Sequence, residues 1–221
     1  MKGLLIKDYL TIAKQKKLAV LYVFVAIMLS FSMDSSFIVS YFSLIGSLLV
    51  LTTLTYDSFD NGYPFLMSLP VTAKTYVYAK YLFSFLGLLG FWGFSVILQF
   101  ASLILRKESF EVLDVLSMDV TFFPMFLFIV GLMLPISLKF GAEKARIILI
   151  VIFGLVFVVG IMGKKLLETA VKDYHIDFET IIKKLDAMPQ QVVALSLAGL
   201  GILAFVISMM ISIGIMKKKE F

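Results

Sequence analysis

Long apolar runs separated by short polar segments make up most of the chain. Six of these runs carry no charged residue, and a helix needs about 17–25 such residues to cross roughly 30 Å of hydrocarbon. Backbone groups in lipid must be satisfied within the segment, and the runs lack the period-two alternation of barrel strands. The pattern therefore predicts membrane-spanning helices at about 18–33, 37–55, 81–105, 120–138, 147–162 and 192–216.

The first and fifth of these predicted spans are short. Lys16 and Lys17 precede the first, and their long side chains can reach the headgroups. Arg146 can lie at the membrane interface before the fifth span. These flanking residues lengthen both spans, so the predicted fold class is an all-α membrane protein with six transmembrane helices.

The composition leaves no room for a separate soluble domain. The chain is 61% hydrophobic and 16% charged, with a mean hydropathy of +1.02. Soluble domains are about 45–50% apolar and about 25% charged. The absence of cysteine excludes disulfides and thiolate metal sites. We expect a single transmembrane domain over residues 1–221.

The distribution of positive charge predicts an orientation. With six spans both termini share one side, which then holds about two thirds of the 20 lysines and arginines. The positive-inside rule places that side, with both termini, in the cytoplasm. The net charge of +5 is explained by topology and anionic lipid, so no nucleic-acid partner is implied.

Two segments outside the spans show helical spacing of apolar residues. Residues 2–15 predict an amphipathic helix lying in the cytoplasmic interface, although an extension of the first span would give a similar pattern. Its apolar face carries Leu5, Ile6, Tyr9, Leu10 and Ala13, and its polar face carries Lys7, Thr11 and Lys14. The outer loop 163–189 predicts two short amphipathic helices or one surface helix, and its single histidine, His175, is expected to be structural.

The segment 56–74, "YDSFDNGYPFLMSLPVTAK", predicts a very short helix between the second and third spans. The Asn-Gly pair is a turn signal, Pro64 suits a helix start, and Pro70 disfavours helix at the residue before it. Thr72 can cap the next helix. The short helix would offer apolar side chains either to a partner's groove or to the headgroup region, and these two interpretations stay open. Those side chains are Tyr63, Phe65, Leu66 and Met67.

Within the predicted span boundaries there is no Asp, Glu, Lys, Arg or His. Ion-coupled carriers usually mark their path with such residues, and intramembrane enzymes need a nucleophile with a base or a metal cluster. A phosphate-binding loop of the form G-x-x-x-x-G-K-[ST] is also missing, so any ATP must be bound by another polypeptide. We therefore expect a non-enzymatic membrane protein.

A partner-independent channel or secondary carrier is the alternative function. It needs polar groups along a path, and the candidates are Thr52, Thr53, Ser95, Gln99 and Ser102. Small residues in the third and sixth spans predict close helix packing. These are Gly87, Gly90, Gly93, Gly199 and Gly201.

Three motifs resemble one family along the whole chain. They are the opening "MKGLLIKD", the segment "NGYPFLMSLPVTAKTYVYAKYL" that begins at residue 61, and "LKFGAEKAR" at 138–146. Together they resemble the small six-span permeases of type-two ABC exporters, a group that includes permeases for phenol-soluble modulins and antimicrobial peptides. The chain departs from the pattern at Ala73, where many relatives have arginine, so a salt bridge from that position is in doubt.

The resemblance implies a bacterial cell-membrane permease that moves an amphiphilic or hydrophobic substrate outward. In this family the first cytoplasmic loop forms a coupling helix that fits a cleft on a separate ATPase subunit, which binds ATP and Mg, and two permease chains pair. The coupling residues so implied are Tyr63, Phe65, Leu66, Leu69 and Pro70, with Asp57, Asp60 and Lys74 as polar contacts. In the second cytoplasmic loop they are Lys139, Glu143, Lys144 and Arg146. We expect Phe65→Asp or Leu66→Asp to abolish ATPase association without unfolding the bundle.

Overall fold

A computed structural model describes residues 1–32, 35–59, 62–107, 109–174 and 189–219. Within these ranges the chain forms eight α-helices and no strand. The helices are α1 (Lys2–Ala13), α2 (Lys16–Ser32), α3 (Ser35–Ser58), α4 (Gly62–Ser68), α5 (Ala73–Arg106), α6 (Val112–Phe140), α7 (Ala142–Tyr174) and α8 (Gln190–Lys218).

Four of the described helices are long and apolar enough to cross a membrane, namely α3, α5, α6 and α8. They contain the predicted spans 37–55, 81–105, 120–138 and 192–216, so this part of the fold prediction is confirmed. The two shorter apolar runs lie in α2 and α7. That these two also cross the membrane stays a prediction, as does the orientation of the termini.

The long helices extend past the apolar runs that predicted them. Asp57 belongs to α3, Lys80 to α5 and Asp119 to α6, and all three side chains are buried. The predicted spans themselves hold no ionisable residue, but the longer helices that contain them do. The predicted spans stop before the nearest charged residue. The helices continue past it, because hydrogen bonds to neighbouring helices can accommodate a buried charged side chain.

α6 lies at the centre of the described bundle, with α8 packed along it and α3, α5 and α7 also against it. Pro135 has no N–H to donate to the carbonyl of Gly131 one turn earlier. The Ser208 hydroxyl of α8 donates to that Gly131 oxygen instead. Tyr81 of α5 in turn lies 2.7 Å from the hydroxyls of both Ser208 and Ser212. Polar side chains thus join α5, α6 and α8 at the point where Pro135 removes a backbone hydrogen bond from α6.

The glycine prediction is confirmed at two of five positions. A Cβ on Gly201 would lie 2.6 Å from the Pro124 Cβ, and one on Gly87 would lie 2.9 Å from Val50. These glycines allow close approach between helices. At Gly90, Gly93 and Gly199 a Cβ would meet nothing within 4 Å, so close packing of the described chain does not require those glycines.

α1 is a helix of its own, separated from α2 by a turn at Lys14 and Gln15, and it packs on α3 and α5. Its buried residues are Leu4 and Asp8, whereas the predicted apolar face at Ile6, Tyr9 and Leu10 is exposed. That face is free to contact lipid, and the placement of α1 in the membrane interface stays a prediction.

The predicted second cytoplasmic loop is a single-residue turn. α6 ends at Phe140 and α7 begins at Ala142, with Gly141 at a φ of 87° between them. That conformation favours glycine because it has no Cβ. α7 continues to Tyr174, so the first part of the predicted outer loop 163–189 belongs to this helix. The remainder up to residue 188, including His175, lies outside the described residues.

Candidate functional site around the short helix α4

α4 matches the short helix that the sequence predicts between the second and third spans. It ends at Ser68, two residues before Pro70, and the Val71 N–H donates to the Leu69 carbonyl at 2.6 Å. The hydroxyl of Thr72 accepts a 3.2 Å hydrogen bond from the Thr75 N–H, so the predicted cap of α5 is confirmed. The two prolines and this cap hold α4 as a separate element between two long helices.

The structure divides the implied coupling residues of α4 between two sides. Tyr63 and Leu66 are 7% and 6% exposed and belong to the hydrophobic core of the chain. The Tyr63 ring packs edge-on against Tyr76 at a centroid distance of 6.0 Å. Phe65 is 67% exposed and Leu69 42% exposed. α4 is therefore anchored by one face and presents the other.

Burial changes the expectation for one of the aspartate substitutions. Leu66 lies in the core, so Leu66→Asp would bury an unpaired carboxylate and unfold the surroundings of α4. That this variant leaves the bundle folded stays a prediction, and the burial of Leu66 argues against it. Phe65, by contrast, can be changed at the surface.

The turn into α4 requires glycine at residue 62. A Cβ there would lie 2.6 Å from the backbone oxygen of Asp57 and 3.5 Å from that of Tyr56. Real Cβ atoms do not approach backbone oxygen so closely, so any larger residue would displace α4 from the end of α3. Gly62 thus fixes the position of the short helix.

Four charged side chains meet beneath α4, and we name Lys7, Asp8, Asp57 and Lys80 the charged cluster. Lys80 Nζ lies 2.8 Å from Asp8 Oδ1 and 2.7 Å from Asp57 Oδ2. Lys7 Nζ contacts Asp57 Oδ1 and lies 3.1 Å from Asp8 Oδ1. Two lysines balance two carboxylates, and the cluster joins α1, α3 and α5.

Neutral groups complete the cluster. The Tyr76 hydroxyl donates to Asp57 Oδ2 at 2.7 Å, and Lys80 Nζ donates to the hydroxyl of Thr53 at 3.2 Å. Because Tyr76 also carries the ring on which Tyr63 packs, one residue of α5 touches both α4 and the charged cluster. Tyr76 therefore connects α4 to the charged cluster.

Two groups outside the spanning helices have shifted pKa values. Burial lowers the pKa of Lys7, but the neighbouring Asp57 and Asp8 carboxylates outweigh burial and the net pKa is raised. Burial also raises the pKa of Tyr63, with a smaller contribution from Asp57. At neutral pH the Lys7 ammonium is thus charged and the Tyr63 phenol is protonated.

Sequence reasoning missed the charged cluster, and it placed Asp57 as a polar contact to a partner. In the structure Asp57 is buried and its carboxylate is held by Lys7, Lys80 and Tyr76. The sequence carried one signal for this cluster. Charges of opposite sign lie in the N-terminal helix and beside two apolar runs, all on the same predicted side of the membrane. Asp60 lies outside the described residues, and Lys74 is exposed in the first turn of α5.

The implied residues of the second loop lie on helices and are exposed. Lys139 lies in the last turn of α6 and Glu143 in the first turn of α7, as predicted, and both complement helix dipoles. Arg146 donates to the Thr55 hydroxyl of α3 at 3.3 Å, which brings this turn to the same end of the bundle as α4. Lys144 is exposed beside it. Their contact with a partner stays a prediction.

The end of α8 also reaches α4. Lys219 Nζ lies 4.6 Å from the centroid of the Tyr63 ring and donates to the Leu138 carbonyl at 3.0 Å. Among the described residues, no group of three or more His, Cys, Asp or Glu is arranged to hold a metal ion. The site thus has an exposed apolar side at α4 and a buried side that contacts α3, Tyr76 of α5 and Lys219.

Comparison with known proteins gives one finding. The family model described as ABC-2 family transporter protein matches residues 3–217. No curated protein and no solved structure matches the chain. Permeases of this family are membrane transport components, generally not catalytic themselves, that work with an ABC ATPase. The all-helical fold with its long apolar helices agrees with that match, and the chain belongs to the ABC-2 transporter family.

Proposed function

We propose that the chain is the permease subunit of an ATP-driven exporter and that a separate ATPase docks on the exposed face of α4. The observation that carries this proposal is the division of α4 into a buried anchor, Tyr63 and Leu66, and an exposed apolar face at Phe65, which the exposed Leu69 continues directly after the helix. ATP and Mg are bound by the partner. The chain supplies the membrane path.

The exposed face of α4 has the features of a docking surface. Phe65 is a large aromatic side chain with two-thirds of its surface exposed, next to the exposed Pro64 and Pro70. Buried aromatic anchors dominate the energy of protein interfaces. The exposed Lys74 adds a charge that an acidic residue of the ATPase can pair with.

The contacts beneath α4 support transmission of ATPase movement to the spans. Tyr63 and Leu66 are packed in the core, so α4 cannot shift without moving its neighbours. Those neighbours are α5 through Tyr76, and α1 and α3 through the charged cluster. Closure of two ATPase subunits would then displace the cytoplasmic ends of several helices together.

The helix surfaces support a hydrophobic or amphiphilic substrate. α2 and α7 expose large apolar side chains along much of their described length, including Phe24, Ile150 and Phe157. Lipid and a second permease chain together would cover these surfaces. A path between apolar helices suits a hydrophobic or amphiphilic substrate, such as phenol-soluble modulins or antimicrobial peptides, moved outward across a bacterial cell membrane.

The polar groups of the alternative channel or carrier do not line an open path. Thr52, Thr53 and Ser95 donate to carbonyls of their own helices. With its amide nitrogen turned toward Asp119, Gln99 donates to the Asp119 carboxylate at 2.6 and 3.0 Å, and both residues are buried. The fifth candidate, the buried Ser102 hydroxyl, has no hydrogen-bond partner among the described residues. Four of the five groups thus have partners of their own, which favours the ATP-driven permease over partner-independent transport.

The test is the double variant Phe65→Asp with Leu69→Asp, both changed on the exposed face of α4. We expect ATPase co-purification to weaken by at least about 30-fold, because loss of a hot-spot anchor costs roughly 2 kcal/mol or more. ATP-dependent efflux should fall with it, while the permease stays monodisperse in detergent. Phe65→Leu is the matched control and should keep association. Full association of the double variant would refute docking on α4.

A further inference from the structure

A cavity of about 460 Å³ opens where α6 and α8 end, next to α4. Its lining residues come from those two helices and the residue that follows α8. They are Lys139, Ile211, Gly214, Ile215, Lys218 and Lys219. None is acidic. The lining divides into an apolar floor and a basic end.

The apolar floor follows one face of α8. Ile211, Gly214, Ile215 and Lys218 recur at the three- and four-residue spacing that aligns side chains on a helix. A Cβ built on Gly214 would meet nothing within 4 Å, so the missing side chain leaves a groove at that point. The groove therefore runs along a helix long and apolar enough to span a membrane and ends at a lysine.

The basic end has three lysines from two parts of the chain, Lys139 near the end of α6 and the consecutive Lys218 and Lys219 at the end of α8. Lysines near helix C-termini complement the helix dipole, which accounts for Lys139 and Lys218 individually. It does not account for an apolar groove that leads to both.

We propose that this groove binds one anionic phospholipid. Its phosphate lies among Lys139, Lys218 and Lys219, and an acyl chain follows Ile211, Gly214 and Ile215. A soluble anion would not contact the apolar floor, and a lipid without net charge would not balance the charge of the three lysines. Because Lys219 also contacts the Tyr63 ring, the bound headgroup lies beside the anchor of α4. The proposal stands independently of ATPase docking.

Binding is measured on the purified full chain in a neutral detergent by native mass spectrometry and lipid titration. The probes are phosphatidylglycerol, phosphatidylcholine with the same acyl chains, and soluble glycerol phosphate. We expect phosphatidylglycerol to bind at least about tenfold more tightly than phosphatidylcholine, and glycerol phosphate not to compete at matched concentration.

Two variants locate the site. The double variant Lys139→Gln with Lys218→Gln should weaken phosphatidylglycerol binding roughly 25-fold, since each lysine contributes a factor of about 5. Gly214→Leu should exclude the acyl chain while leaving every charge in place. The matched control is Lys2→Gln with Lys14→Gln, two exposed lysines outside the cavity, and it should bind like the unaltered chain.

Three results would overturn the proposal. Equal binding of phosphatidylcholine would show an apolar groove without headgroup selection. Competition by glycerol phosphate would show a soluble-anion site. An equal loss in the control pair, or normal binding by Gly214→Leu, would show that binding follows net charge and not this cavity.

Discussion

The charged cluster is the feature on which individual residues have the largest effect. Lys80 is only 2% exposed and faces two carboxylates, Asp8 and Asp57, at hydrogen-bond distance. Replacing such a cluster wholly by apolar residues can be neutral, but removing one member leaves a buried charge uncompensated. The stability of this end of the bundle therefore depends on the balance of the four charges more than on any single ion pair.

At this scale we predict that Lys80→Met lowers the free energy of unfolding by about 3–5 kcal/mol. The reason is that Asp8 and Asp57 are left with only Lys7, which is partly exposed. Unfolding in denaturant, followed by circular dichroism in detergent, measures the effect. Adding Asp8→Asn should recover part of the loss, because the charges balance again. Lys74→Met, at an exposed lysine, is the control, and a Lys80→Met chain as stable as that control would contradict the account.

The charged cluster shows where residue-level prediction from the sequence stops. The residues flanking the apolar runs were visible, but which of them meet depends on how α1 folds back onto α3 and α5. Lys7 and Asp57 are 50 positions apart, and Asp8 and Lys80 are 72 apart. Helical periodicity carries no information on contacts of that separation.

α4 is the element whose position most affects the proposed function. Its bounds were predictable because prolines, a glycine turn and a threonine cap act locally on the backbone. Its orientation was not, because seven residues with apolar side chains on several sides give no preferred face. Contact of Tyr63 with Tyr76 and with the Lys219 ammonium decides that Phe65 faces outward.

At the element scale we predict that Gly62→Ala weakens ATPase association while α3, α5, α6 and α8 stay folded. The added Cβ would meet the Asp57 backbone oxygen at 2.6 Å, and α4 must move to relieve that contact. Co-purification measures association, and circular dichroism measures helix content. Gly90→Ala is the control, since a Cβ there meets nothing within 4 Å. Unchanged association in Gly62→Ala would show that the position of α4 is not critical.

In the described part of the molecule, the elements of the proposed docking site lie at one end of an apolar bundle. α4, the charged cluster, the α6–α7 turn and the lysines that end α8 all lie there, as shown by contacts of Arg146 with Thr55 and of Lys219 with Leu138. Hydropathy predicted the four helices that are long and apolar enough to span a membrane, because apolar length alone decides them. Helix neighbours depend on side-chain shape and on polar pairs such as Ser208 with Gly131, which sequence patterns do not reveal.

The central claim is that an ATPase contacts the exposed face of α4, and site-specific photocrosslinking in native membranes tests it most directly. A photoreactive phenylalanine analogue replaces Phe65 or Leu69, and Ile97, a comparably exposed residue in the middle of α5, is the control position. We predict that positions 65 and 69 crosslink to an ATPase subunit and that position 97 does not. Absence of an ATPase adduct at both α4 positions, or an equal yield at position 97, would contradict the account.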